Sequence, residues 1–162
     1  MKIIISPAKK MNVNTDIFGC MGLPVFLSRT EELMNYMKGL SFTEAKKLWG
    51  CNDKIAEQNF ERYAFMDLER GLTPAIISYE GIQYQYMSPM VLSEDGLDYI
   101  QKHLRILSGF YGILKPFDGV TPYRLEMQAK LRMDEAKDLY AYWGDRLARS
   151  ILDEADCIVN LA

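Results

Sequence analysis

The residues with the clearest chemical potential are three cations within one stiff, turned segment, residues 104–127. The segment reads LRILSGFYGILKPFDGVTPYRLEM and holds Arg105, Lys115 and Arg124 among glycines and prolines. Glycine lets a backbone turn tightly or approach a ligand closely, whereas proline fixes φ and interrupts helices. A rigid loop with cations between aromatic side chains is typical of an edge that binds anions or nucleic acid. The alternative is a connector between two helices with a packed aromatic underside. The aromatic side chains concerned are Phe110, Tyr111, Phe117 and Tyr123.

The charge distribution favours a basic surface although the whole chain is slightly acidic. The formal net charge is −3, which by itself argues against nucleic acid. Residues 101–133 nevertheless carry six cations and two anions, a net +4, so the rest of the chain carries −7. A lysine or arginine on its own is most often a solvated surface charge, and it is the concentration that points to binding. The six cations are Lys102, Arg105, Lys115, Arg124, Lys130 and Arg132, and a second small cluster is Lys2, Lys9 and Lys10.

Composition limits the classes of site. The three cysteines, Cys20, Cys51 and Cys157, are far apart, and His103 is the single histidine. This pattern predicts reduced thiols rather than a disulfide framework or a zinc site, and no cofactor or metal is expected. The sequence also lacks a Gly-x-Ser-x-Gly elbow, a phosphate-binding loop and a dinucleotide fingerprint, so whether the chain is an enzyme stays open. Without a membrane-length apolar run or a signal peptide, we expect a cytoplasmic protein with no membrane partner.

Apolar periodicity and capping residues predict an α/β protein of the mixed α+β kind, with helices around a small mixed sheet in a single domain, residues 1–162. Ser41 and Glu44 form a capping-box pattern, and Pro7 stops the first β-branched run. The predicted strands are 2–6, 74–79 and 156–162, and the predicted helices are 28–38, 41–49, 52–66, 93–107 and 132–154.

Several order-specific motifs run nearly end to end and resemble the YaaA-type peroxide stress protein family. They are Ile-Ile-Ile-Ser-Pro-Ala-Lys-Lys-Met at 3–11, Leu-Thr-Pro-Ala at 72–75, the segment 104–112, Lys115-Pro116, Pro122-Tyr-Arg-Leu-Glu-Met at 122–127, Trp143-Gly-Asp and Asn160-Leu-Ala. The resemblance implies a bacterial, cytoplasmic protein that limits free iron and DNA damage during peroxide stress. It further implies a DNA-binding mixed α/β fold with a basic cleft and a helix-hairpin-helix-like element near 97–133. Because family members continue past Asn-Leu-Ala, we expect this chain to be truncated at its C-terminus relative to them.

The first hypothesis is that the chain binds DNA, either duplex or distorted. Lysines would contact phosphates, Tyr123 or Tyr111 would stack on an unpaired base, and Gly109 would let backbone amides approach a phosphate. It also predicts that Lys9, Lys115 and Arg124 share one surface. The nucleic-acid-binding residues so predicted are Lys9, Lys10, Arg105, Gly109, Gly112, Lys115, Tyr123 and Arg124.

The second hypothesis is an enzyme of unknown reaction on a nucleotide, a nucleobase or another anionic small molecule. It predicts a pocket in which polar groups touch one another, whereas DNA binding predicts a long, open basic groove. A third hypothesis, direct iron binding, is the weakest because ligands are poor. The residues expected to converge in the pocket are Ser6, Lys9, Tyr79, Arg124, Glu126 and Asn160.

Overall fold

The computed structural model describes residues 1–133 and 135–162 and shows a mixed α/β fold. Eight strands lie in these described residues. They are β1 (Lys2–Ile5), β2 (Lys10–Met11), β3 (Thr73–Pro74), β4 (Tyr79–Glu80), β5 (Leu104–Ser108), β6 (Gly112–Leu114), β7 (Gly119–Val120) and β8 (Ile158–Leu161).

The same part of the chain holds eight α-helices and one short 3₁₀ helix, Pro89–Val91. The α-helices are α1 (Leu27–Gly39), α2 (Phe42–Trp49), α3 (Asp53–Ala64), α4 (Ala75–Ser78), α5 (Ile82–Met87), α6 (Glu94–His103), α7 (Leu139–Trp143) and α8 (Arg146–Glu154).

Strand β1 is central in the main sheet, whose order is β6-β5-β1-β8. It pairs in parallel with β5 through Ile3 and Leu104, and with β8 through Ile3 and Val159. Strand β6 returns antiparallel to β5. The carboxyl ends of β1 and β5 therefore meet at one edge, where ligands commonly bind in open α/β sheets. Two small antiparallel pairs, β2 with β4 and β3 with β7, complete the strands.

Local signals fix the first helices as the sequence predicts. The Ser41 side chain accepts from the Glu44 backbone N–H, and the Glu44 carboxylate accepts in return from the Ser41 N–H, which is a complete capping box. Gly50 ends α2 with a left-handed φ of +56°. Asn52 caps α3 through the backbone N–H of Ile55. The predicted helices 28–38, 41–49 and 52–66 are therefore confirmed as α1, α2 and α3.

The predicted strand 74–79 is wrong, because a helical turn, α4, interrupts it. Thr73 and Pro74 pair with β7, and Tyr79 and Glu80 pair with β2, so each end of the run belongs to a different sheet. Between them the backbone N–H groups of residues 75 and 76 donate to carbonyls of the loop 116–118. A short, fully buried apolar run has no periodicity that separates strand from helix.

The predicted helix 93–107 is also too long. Ser93 caps α6 as expected, but α6 ends at His103, and the chain continues as β5. Leu104 and Ile106 lie on a strand that is buried on both faces, which is typical of parallel pairing. A β-hairpin, β5 with β6, then follows α6. The described part of 104–133 contains no second helix, so it does not form the helix-hairpin-helix-like element expected near 97–133.

The predicted helix 132–154 is two helices preceded by irregular chain. Asp138 caps α7 by accepting from the backbone N–H of Ala141. Gly144 follows with a φ of +57°, a left-handed conformation that favours glycine and separates α7 from α8. Residue 134 of the predicted helix lies outside the described residues. The predicted strands 2–6 and 156–162 are confirmed as β1 and β8.

Candidate functional site

The carboxyl ends of β1 and β5 open into a cavity of about 740 Å³, here called the strand-end cavity. This volume lies within the range of small-molecule sites. Three separate segments supply polar groups and backbone: the loop after β1, the turn after β5 and the extended segment 123–128. Its walls on the helix side are apolar and come from α7 and α8. The residues that line it include Ser6, Lys9, Gly109, Arg124, Glu126, Met127, Tyr140, Trp143 and Leu147.

A surface ion pair stands at the rim of the strand-end cavity. Lys9 Nζ lies 2.9 Å from Glu126 Oε1, and their side chains are 65% and 38% exposed. Ion pairs this exposed contribute little to stability. An anionic ligand can therefore replace the Glu126 carboxylate as the partner of Lys9 with little loss of stability.

Arg124 is the cation whose hydrogen-bonding capacity the fold leaves unused. Its Nε is buried and has no hydrogen-bond partner among residues 1–133 and 135–162, and no carboxylate of those residues is within ion-pair distance of its guanidinium. Glu126, its neighbour on the segment, pairs with Lys9 instead. A guanidinium carries five donors, and buried donors are nearly always satisfied. Arg124 is thus the strongest candidate anion contact in the described chain.

Gly109 is required by close backbone packing. A Cβ built on Gly109 would lie 2.8 Å from both the Leu125 carbonyl oxygen and the Met127 backbone nitrogen. The turn after β5 is thereby pressed against the segment that carries Arg124. The Gly109 carbonyl accepts a 3.0 Å hydrogen bond from Trp143 Nε1, which fixes the indole beside the cavity. The structure gives Gly109 a packing role, and the residue is buried.

Gly112 has a different role from the one expected of it. Its φ is +75°, so it starts β6 in a left-handed conformation. A Cβ there would lie 2.9 Å from the Trp143 ring. Gly112 therefore serves the packing of α7 on the hairpin, and it is buried away from solvent.

Tyr123 lies in the core beneath the strand-end cavity. Its hydroxyl is 2.8 Å from that of Tyr79 and 2.6 Å from that of Ser108, and Ser108 Oγ accepts from the Phe110 backbone N–H. The ring stacks on Phe110 with 4.8 Å between centroids. Tyr111 is fully buried, and its hydroxyl accepts from the Thr121 backbone N–H. Tyr123 lines the strand-end cavity with only 5% of its surface exposed, and Tyr111 is fully buried, so neither offers a ring face to a base and both serve core packing.

The tyrosine network predicts a loss of stability at alkaline pH. Burial raises the pKa of Tyr123 to about 12, although its hydrogen bonds with Ser108 and Tyr79 act in the opposite direction, and burial raises the pKa of Tyr79 as well. Because an unfolded tyrosine ionises near pH ~10, stability is complete below that pH and falls as pH rises from about 10 towards 12.

Urea unfolding across this pH range, together with phenolate absorbance, checks the expectation. Tyr123→Phe should lower stability at neutral pH by about 1 kcal/mol, because Tyr79 loses a partner, and should reduce the alkaline loss. Tyr86→Phe is the matched control, since Tyr86 is 87% exposed. An alkaline profile that Tyr123→Phe leaves unchanged would contradict the assignment.

Arg105 is a buried cation paired with a partly exposed carboxylate, and it does not line the strand-end cavity. Arg105 is 3% exposed, and its Nε donates a hydrogen bond of 3.1 Å to Glu154 Oε2. Lys2 Nζ binds the same carboxylate at 2.9 Å. Arg105 is therefore occupied within the fold, which disagrees with the phosphate contact expected of it.

The remaining expected residues are dispersed. Lys10 pairs with Glu80 across β2 and β4. Lys115 is exposed but does not line the strand-end cavity. Strand β6 runs antiparallel to β5, and Leu114 pairs with Ile106, so Lys115 lies towards the start of β5 and away from its carboxyl end. The expected shared surface therefore contains Lys9 and Arg124 without Lys115.

Of the residues expected in the pocket, Ser6, Lys9, Arg124 and Glu126 line the strand-end cavity, whereas Tyr79 and Asn160 do not. The hydroxyl of Tyr79 contacts that of Tyr123, which connects Tyr79 to the site. Asn160 pairs with Ile4 across β8 and β1, and its Oδ1 accepts from the Ala162 backbone N–H.

Comparison with known proteins decides the family. The family model described as peroxide stress protein YaaA matches residues 1–162. The chain belongs to this family. Its similar curated relatives include UPF0246 proteins of Lachnoclostridium phytofermentans, 59% identical over 162 residues, and of Agathobacter rectalis, 58% identical. A third, from Lactiplantibacillus plantarum, is 54% identical. Each match covers all of this chain, which spans 64% to 65% of the length of these relatives.

The apolar wall of the site is what sequence reasoning missed in this YaaA-family chain. Trp143, Leu147 and Tyr140 lie within the predicted helix 132–154, where apolar periodicity indicates core packing and no cavity, although Tyr140 is 57% exposed. The signal was Gly144, which breaks the helix and lets α7 and α8 meet around the cavity.

Among residues 1–133 and 135–162, no group of three or more histidine, cysteine, aspartate or glutamate side chains is arranged to hold a metal ion. Within the same residues, every helix is too short or too polar to span a bilayer.

Proposed function

We propose that this YaaA-family chain acts in the peroxide stress response by binding DNA, with one unpaired nucleotide of the bound strand in the strand-end cavity. The single observation that carries the proposal is Arg124, which lines this cavity and whose buried Nε has no acceptor among the described residues. Lys9 lies at the same rim and forms an ion pair with an exposed carboxylate, that of Glu126. Together they offer two cations to one phosphate.

The apolar wall supports a base beside that phosphate. Tyr140 is exposed and lines the helix side of the strand-end cavity with Leu147, and Met127 adds an apolar side chain from the segment 123–128. Stacking on an aromatic face tolerates every base, so it suits binding without sequence preference. Tyr140 thus takes the stacking role that the sequence suggested for Tyr123.

The wider role belongs to the same proposal. The resemblance implies a cytoplasmic protein that limits free iron and DNA damage under peroxide, and the family match supports peroxide stress as its setting. Occupying unpaired DNA would protect exposed bases, and this role requires no metal on the protein.

A second candidate function is an enzyme or receptor for a free nucleotide or another anionic small molecule. One observation favours it: the polar groups at the strand-end cavity are in contact, as Lys9 with Glu126 at 2.9 Å, while Lys115 lies outside. Contacting groups in a pocket are what this hypothesis predicts, and a long basic groove is what DNA binding predicts.

Arg124→Ala should weaken binding of single-stranded oligothymidylate about tenfold, because a charge-assisted contact contributes roughly 1.5–3 kcal/mol. Lys9→Ala should weaken it less, and each lost phosphate contact should lower the salt slope by about 0.7. Fluorescence anisotropy at several salt concentrations measures both. Lys115→Ala is the matched control and should bind as the unchanged chain does. A melt of each variant should show intact folding, since Arg124 has no partner to lose among the described residues.

Duplex DNA, bubble DNA and thymidine monophosphate separate the two candidates. Tight binding of bubble or single strands with weak binding of monophosphate supports the DNA proposal. Tight binding of monophosphate alone supports the second candidate. Arg124→Ala with unchanged affinity for all probes would show that the strand-end cavity is not the site.

A further inference from the structure

A second cavity, of about 650 Å³, lies on the other side of the segment that carries Arg124. Its lining joins α2 and the end of α1 to residues 124–130. Arg124, Glu126 and Gln128 line both this second cavity and the strand-end cavity. The two cavities are thus neighbours that share one wall.

The charges around the second cavity are arranged for an anion. Lys47 and Lys130 are exposed on its lining and, with Arg124, have no carboxylate partner among the described residues. Both carboxylates on the lining are engaged elsewhere. Glu44 binds the backbone and side chain of Ser41 in the capping box, and Glu126 binds Lys9. Glu44 keeps its negative charge, because its partners are neutral, but Arg124, Lys47 and Lys130 outnumber it, so the net charge of this lining is positive.

A buried donor on the same lining has no partner. Trp49 is 5% exposed, and its Nε1 finds no hydrogen-bond acceptor among residues 1–133 and 135–162. The indole stacks on Tyr63 with 5.9 Å between centroids, so packing holds its ring in place. Buried N–H groups without acceptors are rare in folded proteins. The described fold supplies no acceptor for this donor, and Trp49 lines the second cavity.

We propose that the second cavity is a further phosphate subsite, which holds the phosphate next to the nucleotide bound in the strand-end cavity. The inference rests on the proposed function, because it takes the ligand to be a nucleic-acid strand. Arg124 lies on the shared wall and bridges the two phosphates, while Lys47 and Lys130 contact the second one. The path of the strand then runs from the ends of β1 and β5 over the segment 124–128 towards α2.

The two tryptophans of the chain report the two cavities separately. Trp143 lines the strand-end cavity and Trp49 lines the second cavity. Their indole N–H resonances in ¹H–¹⁵N spectra can be followed during titration with thymidine monophosphate, a dinucleotide and longer oligothymidylates. We expect the monophosphate to shift the Trp143 signal and the longer strands to shift both signals. Inorganic phosphate distinguishes a site for any phosphate from one that requires the strand.

The double variant Lys47→Ala/Lys130→Ala should lose the Trp49 response and keep the Trp143 response. Its affinity for long oligothymidylate should fall about tenfold, with a salt slope lower by about 1.4, since two contacts on a single strand are lost. Its affinity for the monophosphate should not change. The double variant Lys54→Ala/Lys102→Ala is the matched control, because both of these exposed lysines lie outside the two cavities.

Failure of the second subsite and failure of the proposed function give different results. If oligothymidylates shift Trp143 and leave Trp49 unmoved, or if Lys47→Ala/Lys130→Ala binds long strands as the unchanged chain does, the second subsite is wrong and the proposed function stands. If Trp143 responds to no probe, the proposed function is wrong and the subsite falls with it. A shift of Trp49 by inorganic phosphate that Lys47→Ala/Lys130→Ala removes would support the phosphate site.

Discussion

Gly109→Ala is expected to lower the free energy of unfolding by about 3 kcal/mol and to abolish binding at the strand-end cavity. The added Cβ would lie 2.8 Å from Leu125 O and from Met127 N, and both contacts are with backbone. Neither atom can swing aside as a flexible side chain would, so the segment carrying Arg124 must shift as a whole. Urea unfolding and oligothymidylate titration measure the two effects.

Gly39→Ala is the matched control for that substitution. Gly39 ends α1, and a Cβ built there meets nothing within 4 Å. Alanine is the better helix former, so the change in stability should be near zero or favourable by up to about 1 kcal/mol. If Gly109→Ala behaves like Gly39→Ala, the close packing between the turn and the 125–127 backbone is not what holds the site.

Glu154→Gln is expected to lower the free energy of unfolding by about 3 kcal/mol at neutral pH. The substitution leaves the buried guanidinium of Arg105 without a charged partner, and Lys2 loses the same carboxylate. Asp153→Asn, one residue earlier on α8 and exposed, is the matched control and should have little effect. Chemical denaturation of the three proteins provides the comparison, and equal stabilities would contradict the role assigned to the cluster.

The same carboxylate gives the fold a dependence on acid. Partial burial acts to raise the pKa of Glu154, but hydrogen bonds and charges from Arg105 and Lys2 outweigh it, and the pKa is lowered. A carboxyl group with a lower pKa in the folded state stabilises the fold above its unfolded pKa and loses that effect as pH falls through the folded pKa. Stability should therefore drop more steeply below pH ~4 in the unchanged chain than in Glu154→Gln.

The parts of the fold that the sequence predicted correctly depend on local chemistry. The capping box of Ser41 and Glu44 and the cap at Ser93 involve residues a few positions apart, and each is formed as predicted. Strand β1 was also predictable, because a β-branched run stopped by Pro7 has few alternatives. The ends of helices and strands were predicted wrongly where strand pairing involves residues far apart in sequence. Leu104, for example, lies in β5 and not in the predicted helix, because it pairs with Ile3 of β1.

At the candidate site, too, the features set locally could be predicted and those set by distant partners could not. Lys9 was expected beyond a strand end, and Arg124 in a stiff segment, and both line the strand-end cavity. Residue type alone does not reveal whether an arginine or a tyrosine is buried. Arg105 is occupied by a carboxylate 49 positions away, and Tyr123 by the hydroxyl of Tyr79. These partners are set by the tertiary fold, so a local pattern of cations and aromatics could not distinguish them from Lys9 and Arg124.

The central position of β1 has a consequence for how the chain folds during synthesis. Ile3 is made about a hundred residues before its partner Leu104 and still longer before its partner Val159. Helices α1 to α3 can pack on one another early, whereas β1 must wait with its apolar residues unpaired. Such distant pairing slows folding, because a large loop must close before any contact is gained. Strand β1 is therefore a segment on which a ribosome-associated chaperone has a long time to act.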